Sequence, residues 1–156
     1  MIIRNIPLRH ELKYFITPAE LNVLRSSLAP LMQLDQGHEY HIRSLYFDTI
    51  NDDALEEKIA GVGNRKKYRI RIYRYSDQEI FLERKRKVGD LIQKSSVQIT
   101  RRLCNQIISG DPRGLQTSKN PLLQNVYVQM RTRLLRPISC GCSLRTKILS
   151  PSLASS

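Results

Sequence analysis

Residues 66–75, KKYRIRIYRY, and 79–87, EIFLERKRK, decide the fold. In an extended chain successive side chains point to opposite faces. Tyr68, Ile70 and Ile72 therefore share an apolar face, and Lys67, Arg69 and Arg71 share a charged one. In the second run Glu83, Lys85 and Lys87 fall together, with Phe81 on the same parity. A short turn near Ser76-Asp77 joins the two runs as a hairpin.

The pattern continues outward on both sides. Residues 8–16, LRHELKYFI, alternate, with Arg9, Glu11 and Lys13 on one face and Leu12, Tyr14 and Ile16 on the other. Thr17-Pro18-Ala19-Glu20 then combines a capping threonine, a proline suited to a first helical turn and a capping-box glutamate. Leu21, Leu24 and Leu28 give the following helix an apolar stripe, and Pro30 ends or kinks it. Residues 40–48, YHIRSLYFD, read as a strand, and 52–60 as a short acidic helix closed by Gly61. A further strand runs from Asp90 to Ile99. Thr100 caps a helix through Ser109, and Asn120-Pro121 opens a last helix through about Leu135. The fold class is α+β, an antiparallel sheet with flanking helices.

The chain has 156 residues, 40% of them hydrophobic, and a net charge of +12. That suits one domain with a core and anionic partners, not a wholly disordered chain. No run approaches the roughly 18 apolar residues of a spanning helix. Met1 to Arg9 lacks the features of a signal peptide, and three cysteines do not make a disulfide framework. A cytoplasmic location is the expectation. Charge is uneven: residues 1–100 carry 17 Lys/Arg against 13 Asp/Glu, and residues 101–156 carry 9 against 1. Residues 138–156 show no clear period, and the expectation is a disordered or non-native tail behind a domain of residues 1–137.

Three strands thus offer a face bearing two or more charges. A solvated outer face is one reading. Against it, Arg69 and Arg71 are two residues apart, so they repel across about 7 Å unless an anion lies between them. Arginine grips phosphate oxygens with a planar fork. Glu11 and Glu83 each stand two residues before a lysine, Lys13 and Lys85. Such interleaving suits a polyanion accompanied by a divalent cation, with Mg²⁺ or Mn²⁺ held by carboxylates directly or through water. Arg43 either lines the same space or forms a structural ion pair. Asp48 is either a turn residue or a contact at its mouth. Lys58 and Arg65 to Lys67 are either cations at that mouth or solvated. His10, His38 and His41 lack metal-ligand spacing, and Cys140-x-Cys142 with Cys104 is a weak zinc pattern. GVGN at 61–64 lacks the lysine and the strand-turn-helix setting of a phosphate-cradling loop.

The runs RHELKYFIT (9–17), IRSLYFDT (42–49), EEKIAG with NRKKYRIRIY (56–61 and 64–73) and FLERKRKVGDLIQKSSV (81–97) resemble the vacuolar transporter chaperone (VTC) domain. That domain is a polyphosphate polymerase module of the triphosphate tunnel metalloenzyme, or CYTH-like, superfamily. The resemblance covers about residues 5–110, with a weaker echo to about Pro137. It implies a tunnel of antiparallel strands with charged side chains inward. It implies a metal-dependent transferase that moves the ATP γ-phosphate onto polyphosphate, with Mn²⁺ or Mg²⁺. By motif, Arg69, Arg71 and Lys85 are implied as catalytic clamps, and Lys13 and Lys94 as further substrate contacts; Arg43, in its tunnel-lining reading, is a further substrate-binding candidate. Glu11 and Glu83 are the implied metal carboxylates.

The family pattern also implies further strands with a Tyr-x-Arg run, a metal-binding glutamate and a late lysine pair. None follows Arg136-Pro137, where ISCGCSLRTKILSPSLASS stands instead. The expectation is a polymerase-type phosphotransferase of that family with a truncated or frame-shifted end, and the missing strands leave turnover by this chain open. Two other functions remain open: a non-catalytic polyphosphate-binding fragment, and a basic RNA-binding protein. Tyr68, Tyr73 and Tyr75 do not share one face and there is no Trp, so stacking platforms for RNA are lacking and no nucleic acid is expected.

Overall fold

A computed structural model describes residues 4–149, with side chains described outside 4–6, 33–40 and 144–149. The chain runs β1 (Arg4–His10), α1 (Pro18–Leu28), β2 (Gln33–Asp48), α2 (Asp53–Ile59), β3 (Arg65–Tyr73) and β4 (Ser76–Val88). It continues as β5 (Leu91–Ile99), α3 (Arg101–Ile108), α4 (Arg113–Gln116), α5 (Pro121–Arg133) and β6 (Arg136–Leu149). The strands form one antiparallel sheet in the order β1-β5-β4-β3-β2-β6. Among the described residues the sheet is open, with β1 and β6 as its edges.

One face of the sheet is the core. Phe47, Tyr68, Ile70, Ile80, Leu82, Val97 and Ile99 pack against Cys104 and Ile107 of α3, Leu115 of α4, and Leu122, Leu123, Val126 and Met130 of α5. Burying each aliphatic side chain contributes about 1.5–3 kcal/mol. The helices start where the sequence places caps. Leu103 N donates to Thr100 Oγ1 at 3.2 Å, and Leu122 N to Asn120 Oδ1 at 2.9 Å. Thr17 and Glu20 complete the capping box of α1.

Four expectations change. The strand expected over 8–16 ends at His10, because His10 pairs with Leu91, the first residue of β5. Beyond it β5 turns away through Gly89-Asp90, and residues 11–17 have no neighbouring backbone to pair with. Leu12, Tyr14, Phe15 and Ile16 are exposed, and α1 buries no residue. The β3–β4 turn is Arg74-Tyr75, not Ser76-Asp77; both have positive φ, +53° and +56°, the type I′ geometry of a two-residue hairpin. The segment from 138 is not a tail over its described length: 138–149 lies in β6, which pairs with β2 from Asp48↔Arg136 to Gln33↔Leu149. An exposed strand edge recruits a partner through its backbone, which needs no side-chain alternation. Residues 150–156 lie outside the described residues. Finally, β2 begins at Gln33, earlier than expected.

Candidate functional site: the charged face of the sheet

Strand register aligns the charged residues in rows on the face away from the core. Lys67 lies across from Lys85, and Lys85 across from Lys94. The next row is Tyr46, Arg69, Glu83 and Ser96, and beyond it Ser44 faces Arg71. With Arg65 across from Lys87, seven cations from three adjacent strands thus share one face. Ser44 and Tyr46 join the residues singled out from sequence, and the parity of RSLYFD in β2 was their signal; Lys67, already placed on the charged face of its strand, lies in the lysine row.

The predicted repulsion between Arg69 and Arg71 is relieved from within the protein. Glu83 Oε2 accepts from Arg69 Nε at 2.7 Å, lies 2.6 Å from Arg69 Nη2, and lies 3.7 Å from Arg71 Nη1. One carboxylate oxygen serves both guanidiniums. Arg71 is 7% exposed, and its Nε donates to Ser44 Oγ at a long 3.4 Å. Glu11, just past the end of β1, stands between two lysines with one oxygen for each. Its Oε1 lies 2.7 Å from Lys85 Nζ and its Oε2 3.2 Å from Lys94 Nζ. The Lys94 contact is an ion pair without hydrogen-bond geometry, so Glu11 Oε2 is sheltered from solvent yet accepts no hydrogen bond.

Titration follows this layout. The Lys85 hydrogen bond, reinforced by Lys94, holds the Glu11 carboxyl down to about 2 against the opposing effect of burial. Burial pulls the Lys94 ammonium below its ordinary value, with Glu11 opposing. Burial, then the charges of Lys58 and Arg65, lowers Lys67. These lowered lysines hold their protons less firmly than solvated ones, chiefly because burial penalises the charged form.

Other expected site residues stand apart. Arg43 pairs across from Ile72 and so projects from the core-side face, where its guanidinium lies 5.9 Å from the Tyr75 ring. It does not join the charged rows. Lys13 sits exposed in the irregular segment between β1 and α1. Asp48 proves to be a helix cap: its carboxylate accepts from Ala54 N at 2.8 Å and Leu55 N at 3.1 Å. Cys104 lies in the core while Cys140 and Cys142 are exposed on β6, and among the described residues no three His, Cys, Asp or Glu side chains cluster as metal ligands.

The described residues thus form an open antiparallel sheet with a cationic face and helices on its back. The family model for the VTC domain matches residues 8–151, and the chain belongs to that family. Its fold is similar to a solved structure from Hippeastrum, a putative adenylyl cyclase described as having a dominant triphosphatase activity. The two are 15% identical with a TM-score of 0.56, over 94% of this chain and 66% of that one. The chain thus spans about two thirds of that neighbour's length. No curated protein matches the chain. No helix among the described residues is long and apolar enough to cross a membrane.

Proposed function

We propose that the charged face binds linked phosphates, as triphosphate or polyphosphate, and that the domain transfers the ATP γ-phosphate to a polyphosphate end. A triphosphate- or polyphosphate-related function follows from the VTC family and the tunnel-type fold. The polymerase assignment is the finer step. The observation that carries the binding reading is the double use of Glu83 Oε2 by Arg69 and Arg71. Two guanidiniums share one oxygen where a phosphate chain offers many.

Binding is then an exchange of counter-ions. Phosphate oxygens take Arg69 and Arg71 from Glu83, and Lys85 and Lys94 from Glu11. The guanidinium forks orient the chain, and the ammonium groups neutralise it as point charges. Phosphoryl transfer needs in-line positioning and neutralised oxygens more than covalent help, which is what Arg69, Arg71 and Lys85 supply. Lys94 and Lys67 extend the contact along the lysine row. Mg²⁺ is commonly held by one or two carboxylates plus substrate phosphates, and Glu11 and Glu83, once relieved of their cations, fit that partial donor set. The metal would neutralise charge between phosphates.

The test is the purified chain with ATP and Mn²⁺, followed by polyphosphate formation. Polyphosphate is expected from the wild type and its loss from Arg69→Ala/Arg71→Ala; unchanged activity in that variant would overturn the clamp. A second reading, binding without turnover, is favoured by the engagement of both carboxylates with cations and the lack of a metal-ligand cluster among the described residues. It predicts saturable polyphosphate binding, resistant to competing RNA, with no product.

A further inference from the structure

We propose that the outer margin of β6 binds a second copy of this chain, antiparallel about Gly141, to form a two-fold dimer. β6 ends the strand order, so among the described residues no strand pairs with its outer side. The outward N–H and C=O groups of such an edge are a template for another strand. Residues 139–143 are exposed, and their ladder with β2 is regular from Ser139↔Tyr46 to Ser143↔Ile42.

Residue order selects the occupant. A two-fold contact sets one surface against itself, so an antiparallel strand pair must match when read from either end. Ile138-Ser139-Cys140-Gly141-Cys142-Ser143-Leu144 does match. With Gly141 on the axis, Ser139 meets the partner's Ser143, and Cys140 meets the partner's Cys142. Charged side chains within an edge strand guard it against pairing. Here Pro137 to Leu144 carries no charge, and Arg136 and Arg145 stand just outside. Glycine at 141 meets no need inside the chain. Its φ is not positive, and a Cβ there would touch only Tyr46 Cε2, at an ordinary 3.8 Å. A glycine inside a strand weakens it and marks a place where another backbone comes close. Opposed residues share a face, so the two six-stranded sheets would join with their charged faces on the same side.

Disulfide trapping in the full chain tests the register. Opposed residues have Cα atoms about 4.5–5.5 Å apart, within disulfide reach, whereas neighbours two apart on a strand, or diagonal across two, are about 7 Å apart or more, beyond it. Cys140→Ser and Cys142→Ser are each treated with diamide, singly and mixed. Diamide takes the two thiol hydrogens as the Sγ–Sγ bond forms and becomes a hydrazine. Either variant alone sets each thiol against a serine. The mixture sets Cys142 of one chain against Cys140 of the other, while buried Cys104 is out of reach. The linked dimer should be about tenfold more abundant in the mixture; equal yields overturn the register. Without oxidant, in reducing phosphate-free buffer, the wild type at about 0.1 mM should sediment as a dimer. Ser139→Lys/Ser143→Lys sets like charges opposite each other and should be monomeric. A monomeric wild type overturns the proposal whether or not that variant folds, and so does an undiminished dimer in the variant.

Discussion

Glu83 on β4 lies directly across the sheet from Arg69 on β3, with its Oε2 2.7 Å from Arg69 Nε. The same oxygen reaches Arg71, so one acid keeps two largely sheltered guanidiniums together. Glu83→Gln leaves that repulsion unrelieved and should cost about 1–3 kcal/mol of stability. Tripolyphosphate should then raise the Tm of the variant more than that of the wild type, since it replaces the missing anion. Thermal melts with and without tripolyphosphate check this; an equal rise in both would count against phosphate entering at Arg69 and Arg71.

Acid should loosen the site through Glu11. Its folded-state pKa of about 2 lies below the ordinary 4.5, so the unfolded chain takes up the proton first as pH falls. The stabilisation is complete above about 4.5 and drains away between there and about 2. Glu11→Gln should be less stable at neutral pH and lose less on acidification. Urea melts at a series of pH values measure both slopes.

The core should be separable from the site. Leu123 is 2% exposed and packs beneath the sheet. Leu123→Ala should cost about 2–5 kcal/mol. Where the variant remains folded, its affinity for tripolyphosphate should match the wild type in calorimetry.

The β3–β4 hairpin carries two non-glycine residues in the left-handed region, Arg74 and Tyr75. Asn-Gly suits this turn far better. Arg74→Asn with Tyr75→Gly should stabilise the protein by about 1 kcal/mol or more, read as a higher midpoint in urea.

The central hairpins and helix starts were legible because local rules govern them. Alternation in 66–75 and 79–87 places the same residues on the same faces as the strands do, and Thr17, Thr100 and Asn120 cap the helices expected of them. Parity within each strand made the shared face of Arg69 with Arg71, and of Glu83 with Lys85, visible; Lys94 came from the family motif, and the alignment across strands depends on the turn at Arg74-Tyr75. The carboxylates were visible as neighbours of these cations but not as their counter-ions, because a side-chain contact such as Glu11 with Lys85 depends on where β1 ends. Of the two readings of Arg43, its parity with Leu45 and Phe47 disfavours lining the charged face. The edges were least legible. At His10 alternation continues after the partner strand has run out, and at 138–149 a strand forms without alternation because β2 supplies the backbone.

The pairing of β2 with β6 also sets an order of assembly. The β3–β4–β5 meander closes through two-residue turns and can form as soon as it is made, whereas Asp48 must wait for Arg136 and Gln33 for Leu149. Contacts of such long sequence separation form slowly, because loop-closure entropy is lost before any contact is gained. During synthesis the outer margin of β2 therefore stays bare until Arg136–Leu149 has left the ribosome, a window in which another nascent chain can take the place meant for β6.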